Sequence, residues 1–534
     1  MAEEIYDFIV VGAGSAGCAL AARLSENPAW KVLLLEAGPP DNHVWIHVPI
    51  GFARTFEDPR VNWKYETDPE PHLGGRKVYW PRGRTLGGSS SINGLIYIRG
   101  VPGDYDYWRQ LGNTGWGFDD VLPYFRKAEG NVRGDDALHA GGGPLGVDDT
   151  RWRHPLADAY VDAAVEAGLP RNDDFNGPAQ EGAGYYQQTQ RHGRRCSAAR
   201  AYLGPARGRR NLRIVTGALT EKVEIVDGRA TGVRYSAAGA SHVAKAGREV
   251  VLCGGALNSP QILLLSGVGP AAHVSEMGIT PVRDLPGVGE NLHDHYLARI
   301  AWRATRAVTI NDFNRNWLGR LAMGARYALT RSGPMAIGAG VAGAFARTRP
   351  ELADPDVQIH YMPFSTASKI TELHDFPGFS AIVNQSRPQS RGRLRLRSAD
   401  PREAPSMVAN YLADEVDRRT MVAGMRLLRR IAEQPALREW IAAEVVPGPG
   451  VQSDDELLDY AKRTGSTVHH QAGTCRMGPE HDPMAVVDPQ LRVRGVAALR
   501  VADCSIMPQV VSGNTNAAAI MIGEKCADLL KAAA

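Results

Sequence analysis

The segment Gly12-Ala13-Gly14-Ser15-Ala16-Gly17 has the spacing of a phosphate-binding turn. A first glycine permits a tight turn, and a second lets the backbone approach a pyrophosphate. A third lets a helix pack close to a sheet, with the helix's free N–H groups aimed at the phosphates. Glu36 follows about 20 residues on, where a carboxylate accepts hydrogen bonds from both ribose hydroxyls and disfavours a 2′-phosphate, arguing against NADP. A second chemical region is Val468-His469-His470-Gln471-Ala472-Gly473-Thr474. Neutral imidazole is well matched to accepting a proton near pH 7. In an extended chain, adjacent side chains point to opposite faces. The pair is therefore a poor chelate, and His469 is read as structural. His293-Asp294-His295 has metal-ligand residue types at close spacing.

These residues need elements to position them. Residues 5–11 and 31–35 are short Val/Ile/Leu-rich runs separated by a helical pattern to about Leu24, as expected of parallel strands buried on both faces. A third strand, 249–253, runs into Gly254-Gly255 and an apolar helix from Ser259. Strand, glycines, helix, strand and Glu36 together make the dinucleotide reading much stronger than a lone GxGxxG, which a glycine-rich turn also produces. The fingerprint does not separate NAD from FAD; its place at the N-terminus, followed by Glu36-Ala37-Gly38, favours a permanently bound FAD. The aperiodic stretch 60–100 is expected to be pinned by a ligand. Helical patterns cover 417–445 and 516–533. With no repeat or flexible linker, the domains are expected to be interleaved.

Composition excludes several classes. A net charge of +3, 43% hydrophobic and 22% charged residues suit an ordinary soluble protein. The arginines between Arg191 and Arg213 lack an aromatic ladder, so they read as a solvated face, and no nucleic acid is expected. Six cysteines without a CxxC pair argue for a reducing compartment and against structural zinc. Met1-Ala2-Glu3-Glu4 is acidic where a secretory signal is basic, and three glycines interrupt the apolar stretch Phe8–Leu24. The expectation is a cytoplasmic protein with no transmembrane segment, a peripheral membrane contact being left open.

Five ordered segments carry a family resemblance: Gly83-Arg-Thr-Leu-Gly-Gly-Ser-Ser-Ser-Ile-Asn93, Arg195–Leu203, Gly255–Gly269, Gly287–His295 and the tail from Thr467 to Lys525. Together they resemble the glucose–methanol–choline (GMC) oxidoreductases over nearly the whole chain. The resemblance implies an α/β (overall α+β) architecture. A Rossmann-like FAD-binding domain (1–155, 196–300 and 466–534) is interleaved with a substrate domain (156–195 and 301–465) built on an antiparallel sheet with helices. It implies a flavin clamp in which Arg84, Gly87, Gly88, Ser89, Asn93 and Gly94 approach the cofactor. Gly12, Gly14, Ser15, Ala16, Glu36 and Ala37 are the corresponding contacts in the first fingerprint. Val223, Ala256, Asp503 and Asn516 complete the expected set. Some relatives join a histidine covalently to flavin where this chain has Ile92, so FAD is expected to be noncovalent. His-Asp-His falls in a segment associated with the cofactor domain, and no metal is expected.

His470 matches the histidine that faces the flavin and takes the alcohol's proton. Asn514 matches a position that is asparagine in choline-type relatives and hydrogen-bonds the substrate oxygen. A satisfied core histidine, or helix-cap roles for Asn514 and Asn516, are the plainer alternatives. Choline-type relatives carry an Asn-His-Phe-Glu-like element where Gly338-Ala339-Gly340-Val341 falls, and a cation needs a carboxylate or an aromatic cage. The expected substrate is therefore a neutral primary alcohol, aromatic or long-chain, oxidised to the aldehyde, with choline as the alternative and Trp302, Trp317, Tyr361 and Phe364 as candidate walls. Oxygen and a quinone-type acceptor both remain open, with a lean to dehydrogenase. An NAD-dependent dehydrogenase leaves segments 83–93 and 255–269 unexplained, and no GxSxG elbow supports a hydrolase.

Overall fold

Strands Ile5–Val11 and Val32–Glu36 are almost wholly buried apolar runs, and such strands need partners on both edges and cover on both faces. In the computed structural model, which describes residues 4–367 and 369–533, they form the centre of a seven-stranded sheet. Met1, Ala2 and Glu3 of the acidic N-terminus lie outside the described residues. Leu212–Thr216, Val32–Glu36, Ile5–Val11 and the end of Ala240–Leu252 run parallel in that order, and Leu499–Val501 adds a further parallel strand. The first half of Ala240–Leu252 pairs instead with an antiparallel meander, Arg229–Ala237 and Leu219–Val226. Helix Ser15–Leu24 packs on the C-terminal helix Asn516–Ala533 so closely that a Cβ on Gly523 would lie 2.4 Å from the Ala16 carbonyl oxygen. A bidentate Arg23–Glu524 pair, at 2.8 and 2.9 Å, closes the contact.

The second sheet is antiparallel throughout. Its order is Ile441–Val446, Tyr296–Ala304, Gly378–Gln385, Val357–Met362, Ala342–Ala346 and Gly182–Tyr185, and Ser466–Thr467 pairs with Tyr296 and Leu297. Helix Glu415–Ala432 covers one face, with Gly424 against Val383. The strand Tyr296–Ala304 straddles residue 300, the division expected from sequence, and Ser466–Thr467 belongs to this sheet.

Two element boundaries differ from expectation. The 417–445 pattern is not one helix: it ends at Ala432, a short helix Pro435–Arg438 follows, and Ile441–Val446 is a strand. Pro435 cannot continue the helix, and the free edge of Tyr296–Ala304 recruits the apolar residues after it. The helix expected from Ser259 starts at Gly255, because Asp503 accepts the Gly255 N–H at 2.8 Å and the Ser259 hydroxyl at 2.6 Å. That distant carboxylate acts as a cap no local reading reveals. Among the described residues no helix is long and apolar enough to cross a membrane.

Candidate active site

One cavity of about 1080 Å³ runs between the two sheets, from Glu36 to the wall formed by Met362 and Phe364. At its nucleotide end Gly12 has φ +99°, and a Cβ there would meet the Cys253 carbonyl oxygen at 2.6 Å, so the turn requires glycine. The following helix has Gly14 at its N-cap with no side-chain cap, which leaves its first N–H groups for phosphate oxygens. Glu36 ends its strand buried, accepting the Ala13 N–H at 3.0 Å and the Gly38 N–H at 2.8 Å. Burial pushes its carboxyl up to about 7, against the opposing effects of those two N–H groups and Arg84. Each carboxyl oxygen keeps a lone pair for a ribose hydroxyl.

The 83–93 loop packs onto this turn. Gly88 (φ +52°) has no room for a Cβ, which would sit 2.7 Å from Gly14 Cα, and the Gly87 N–H donates to the Ala13 carbonyl at 2.7 Å. Asn93 Oδ1 accepts from the buried Arg195 at 2.6 Å, whose guanidinium also donates to the Ile46 and Ser90 carbonyls. With no carboxylate partner, burial pulls Arg195 down to about 9. Ser15 Oγ donates to Asn516 Oδ1 at 2.8 Å, tying the phosphate helix to the C-terminal one.

Of the residues expected to hold the cofactor, Gly12, Gly14, Ser15, Ala16, Glu36, Ala37, Gly88, Ser89, Asn93, Gly94, Ala256, Asp503 and Asn516 line this cavity. Three do not. Gly87 supports the turn from behind. Arg84 lies over the Trp63 ring, 4.8 Å from its centroid, and Trp63 forms the wall in its place. Val223 is buried in the core with its N–H spent on Ser266 Oγ at 2.8 Å; its strand presents Leu219 and Thr220 to the cavity instead. The tight glycine cradle, the uncapped helix and the buried carboxylate fit a dinucleotide. Ile92 lines the cavity and has no atom able to bond covalently to a flavin.

At the other end, His470 and Asn514 meet across the cavity wall, His470 Nε2 lying 3.2 Å from Asn514 Nδ2. The hydrogen-bond chain through them assigns every proton. The Ser386 carbonyl can only accept, so His295 Nε2 carries a proton and donates to it at 3.0 Å. His295 Nδ1 is then an acceptor, and His470 Nδ1–H donates to it at 2.9 Å. His470 Nε2 is consequently a bare lone pair. The opposite end gives the same answer. The Tyr186 hydroxyl donates to the Ile359 carbonyl at 2.7 Å, so the Gln358 amide faces it with its NH₂ and donates to Asn514 Oδ1 at 3.0 Å. Asn514 must present its own NH₂ to His470.

Burial, reinforced by its histidine neighbours and Arg82, keeps His470 well below the ordinary imidazole value, and burial holds His295 and His360 down to about 4. Asp294 fixes the segment: one oxygen accepts the N–H groups of His470 (2.7 Å) and His295 (2.9 Å), and the other accepts from Tyr411, Thr467 and Gln471. His293, Asp294 and His295 thus face three different tasks, His293 Nε2 accepting the Val510 N–H at 2.8 Å.

Two expectations need correction here. His469 has φ +67°, so the chain is not extended, and both histidines reach the cavity wall. Of the four candidate wall aromatics, Phe364 alone lines the cavity. Tyr361 stacks on Tyr160 (4.9 Å) and Trp302 on Phe379 (5.4 Å), both in the core, while Trp317 is 66% exposed. Strand alternation explains Tyr361: it points away while His360 and Met362 face the cavity. Asp294, His295 and Gln358 went unread as functional residues; for the first two the nearest signal was the His-Asp-His run itself.

Sequence profiles described as GMC oxidoreductase match residues 6–297 and 388–523. An alcohol dehydrogenase (acceptor) of Pseudomonas putida is 42% identical over 98% of this chain and 96% of its own length. The mitochondrial choline dehydrogenase of Homo sapiens is 43% identical over 98% and 90%. Pyridoxine 4-oxidase from Mesorbium loti superposes with a TM-score of 0.89 at 31% identity, over 98% of each chain.

Proposed function

The chain belongs to the GMC oxidoreductase family, FAD-dependent enzymes acting on CH–OH groups, and on that premise we propose that it oxidises a neutral primary alcohol to the aldehyde with His470 as base. FAD, held noncovalently, supplies the acceptor for the two electrons that leave with the carbinol hydrogen. The observation that carries the reading is the bare Nε2 of His470 beside the Asn514 NH₂. A hydroxyl lodged there donates to Nε2 and accepts from Nδ2. As the proton moves to Nε2, the amide stabilises the developing alkoxide, and hydride departure becomes easy only from an oxygen of that character. His295 meanwhile accepts from Nδ1–H, which stabilises the imidazolium that forms.

The wall speaks for a neutral substrate. Every cavity-lining residue between Leu297 and Ser466 is uncharged except Arg299 and Lys369; Glu57 and Glu66 line the cavity from the 52–66 segment, where Lys64 pairs with Glu57 at 3.8 Å. Arg299 is itself committed to Thr366 and the Ala367 carbonyl. A quaternary ammonium there meets like charge, whereas Met362, Phe364 and Ile370 suit an aromatic or long alkyl group.

The test is anaerobic reduction of the bound flavin by a series of primary alcohols and by choline. Neutral alcohols should bleach the flavin band, and His470→Ala should slow this about 10²–10⁴-fold. Faster reduction by choline than by every neutral alcohol overturns the substrate assignment. A flavin that no alcohol reduces overturns the function. Admitting air then distinguishes oxygen from a quinone-type acceptor.

A further inference from the structure

Helix Trp317–Thr330 is built the wrong way round for a helix of a globular protein. Its apolar stripe, Trp317, Leu318, Leu321, Ala325 and Leu329, follows the helical period, and such a stripe ordinarily faces the core. Here it faces out: Trp317 is 66% exposed, Leu318 59%, Leu321 60% and Leu329 85%. The buried residue on the helix is Tyr327, on the opposite face, whose hydroxyl donates to the Gly193 carbonyl at 3.0 Å and holds the helix to the body. Single exposed leucines need no explanation, but a contiguous Trp/Leu stripe on one helix does.

The charges around the stripe are of one sign. At about 100° per residue, Arg320 and Arg326 fall on opposite flanks of it, and the helix carries no acidic residue. From Arg303 to Arg331 the chain has six arginines against one acid, Asp312, which caps Thr309 and lies 3.9 Å from Arg315, while Arg306 pairs with Glu439 at 3.8 Å. Exposed Phe313 and Arg315, on the preceding helix Ile310–Arg315, extend the same character.

We propose that this helix lies on an anionic lipid surface, its Trp/Leu stripe sunk among the acyl chains and Arg320 and Arg326 on the phosphate level. An interfacial helix needs this combination of an outward apolar face and flanking cations. A second copy of the chain is the poorer occupant, because self-pairing sets one arginine-bordered stripe against another. The position also matters. Asn311 donates to the Ser365 and His374 carbonyls at 2.9 and 3.0 Å, anchoring both ends of the loop whose Thr366, Ala367 and Ile370 wall the cavity. A docked enzyme therefore brings that loop to the membrane.

The experiment uses the full-length flavin-loaded enzyme, sedimented with vesicles of phosphatidylcholine alone or mixed with phosphatidylglycerol. The wild type should bind the phosphatidylglycerol vesicles and dissociate as salt rises. The double variant Arg320→Gln/Arg326→Gln should bind about thirtyfold more weakly, the fold-change for two surface cations. Leu321→Ser/Leu329→Ser should lose binding as well. None of these residues touches the cavity, so flavin reduction by a soluble alcohol should stay unchanged in every variant and certifies the fold. Wild-type enzyme that ignores phosphatidylglycerol vesicles at low salt overturns the proposal, as do variants that bind equally well. A dimer in solution that the leucine substitutions dissolve overturns it too, by assigning the stripe to a second copy.

Discussion

Replacing His295 by leucine tests the proton assignment at the reacting pair. His295 is fully buried and contributes one atom to the chemistry, the Nδ1 lone pair 2.9 Å from His470 Nδ1. Leucine removes that acceptor. His470 then either keeps its Nδ1 proton as a buried donor without a partner, costing about 1–3 kcal/mol, or shifts to the Nε2–H form, which is no base at all. Since 1.4 kcal/mol is tenfold in rate, flavin reduction should slow by about five- to 150-fold. His295→Gln offers a carbonyl to the same proton and should recover much of the rate. The assay is anaerobic stopped-flow reduction under saturating alcohol, so the limiting rate constant is separated from binding, with melting temperature and FAD content as controls for packing. A histidine that merely fills space predicts equal rates for the leucine and glutamine variants at equal stability. That result, or an unchanged limiting rate in His295→Leu, refutes the assignment.

Three further outcomes follow from the geometry. Because burial holds His470 well below 6.5, the limiting rate of flavin reduction should be level from pH 8 to 6.5, and its acid limb should lie lower still, measured by stopped flow across a buffer series. Glu36→Gln turns one acceptor towards the Ala13 or Gly38 N–H into a donor, which should weaken FAD binding about tenfold or more, read by dialysis against graded FAD. Val223→Ala should lower the melting temperature through a lost core contact of about 1–3 kcal/mol yet leave FAD affinity unchanged, since its side chain does not reach the cavity.

The nucleotide half of the site was legible because its logic is local. A tight turn, a helix start and a strand end lie within Ile5–Glu36, and each glycine answers to a backbone requirement that sequence states directly. The reacting half rests on partners far apart. His295 and His470 are 175 residues apart, and Gln358 and Asn514 are separated by 156. Nothing in the neighbourhood of Gln358 marks it, because its function is to hold an amide delivered by the other sheet. Tyr361 was misread by a single step of strand parity, which turns a wall residue into a core one. His469 was misread because a positive φ in a non-glycine residue leaves no trace in composition. Val223 stands three residues beyond Thr220, the last of its strand to face the cavity.

The separation of those partners is itself a statement about how the reaction is controlled. His470 follows Ser466–Thr467, a strand of the antiparallel sheet, whereas Asn514 lies two residues before the start of the helix Asn516–Ala533, which packs on the phosphate-binding helix. The 3.2 Å between their nitrogens is thus a docking distance between the two sheets, and Gln358 and Asp294 are the hydrogen-bonded struts that set it. Hydride transfer tolerates little misalignment, and about 1 Å can cost two orders of magnitude. Substitutions at this seam should therefore lower the rate of flavin reduction while FAD stays bound, because the glycine turn and Glu36 follow strands of the first sheet, whereas His470 follows a strand of the second. Substitutions in the glycine cradle should do the reverse, losing FAD first. The division of the site between two sheets makes cofactor retention and chemistry separable by mutation, which a site built wholly on one of them does not allow.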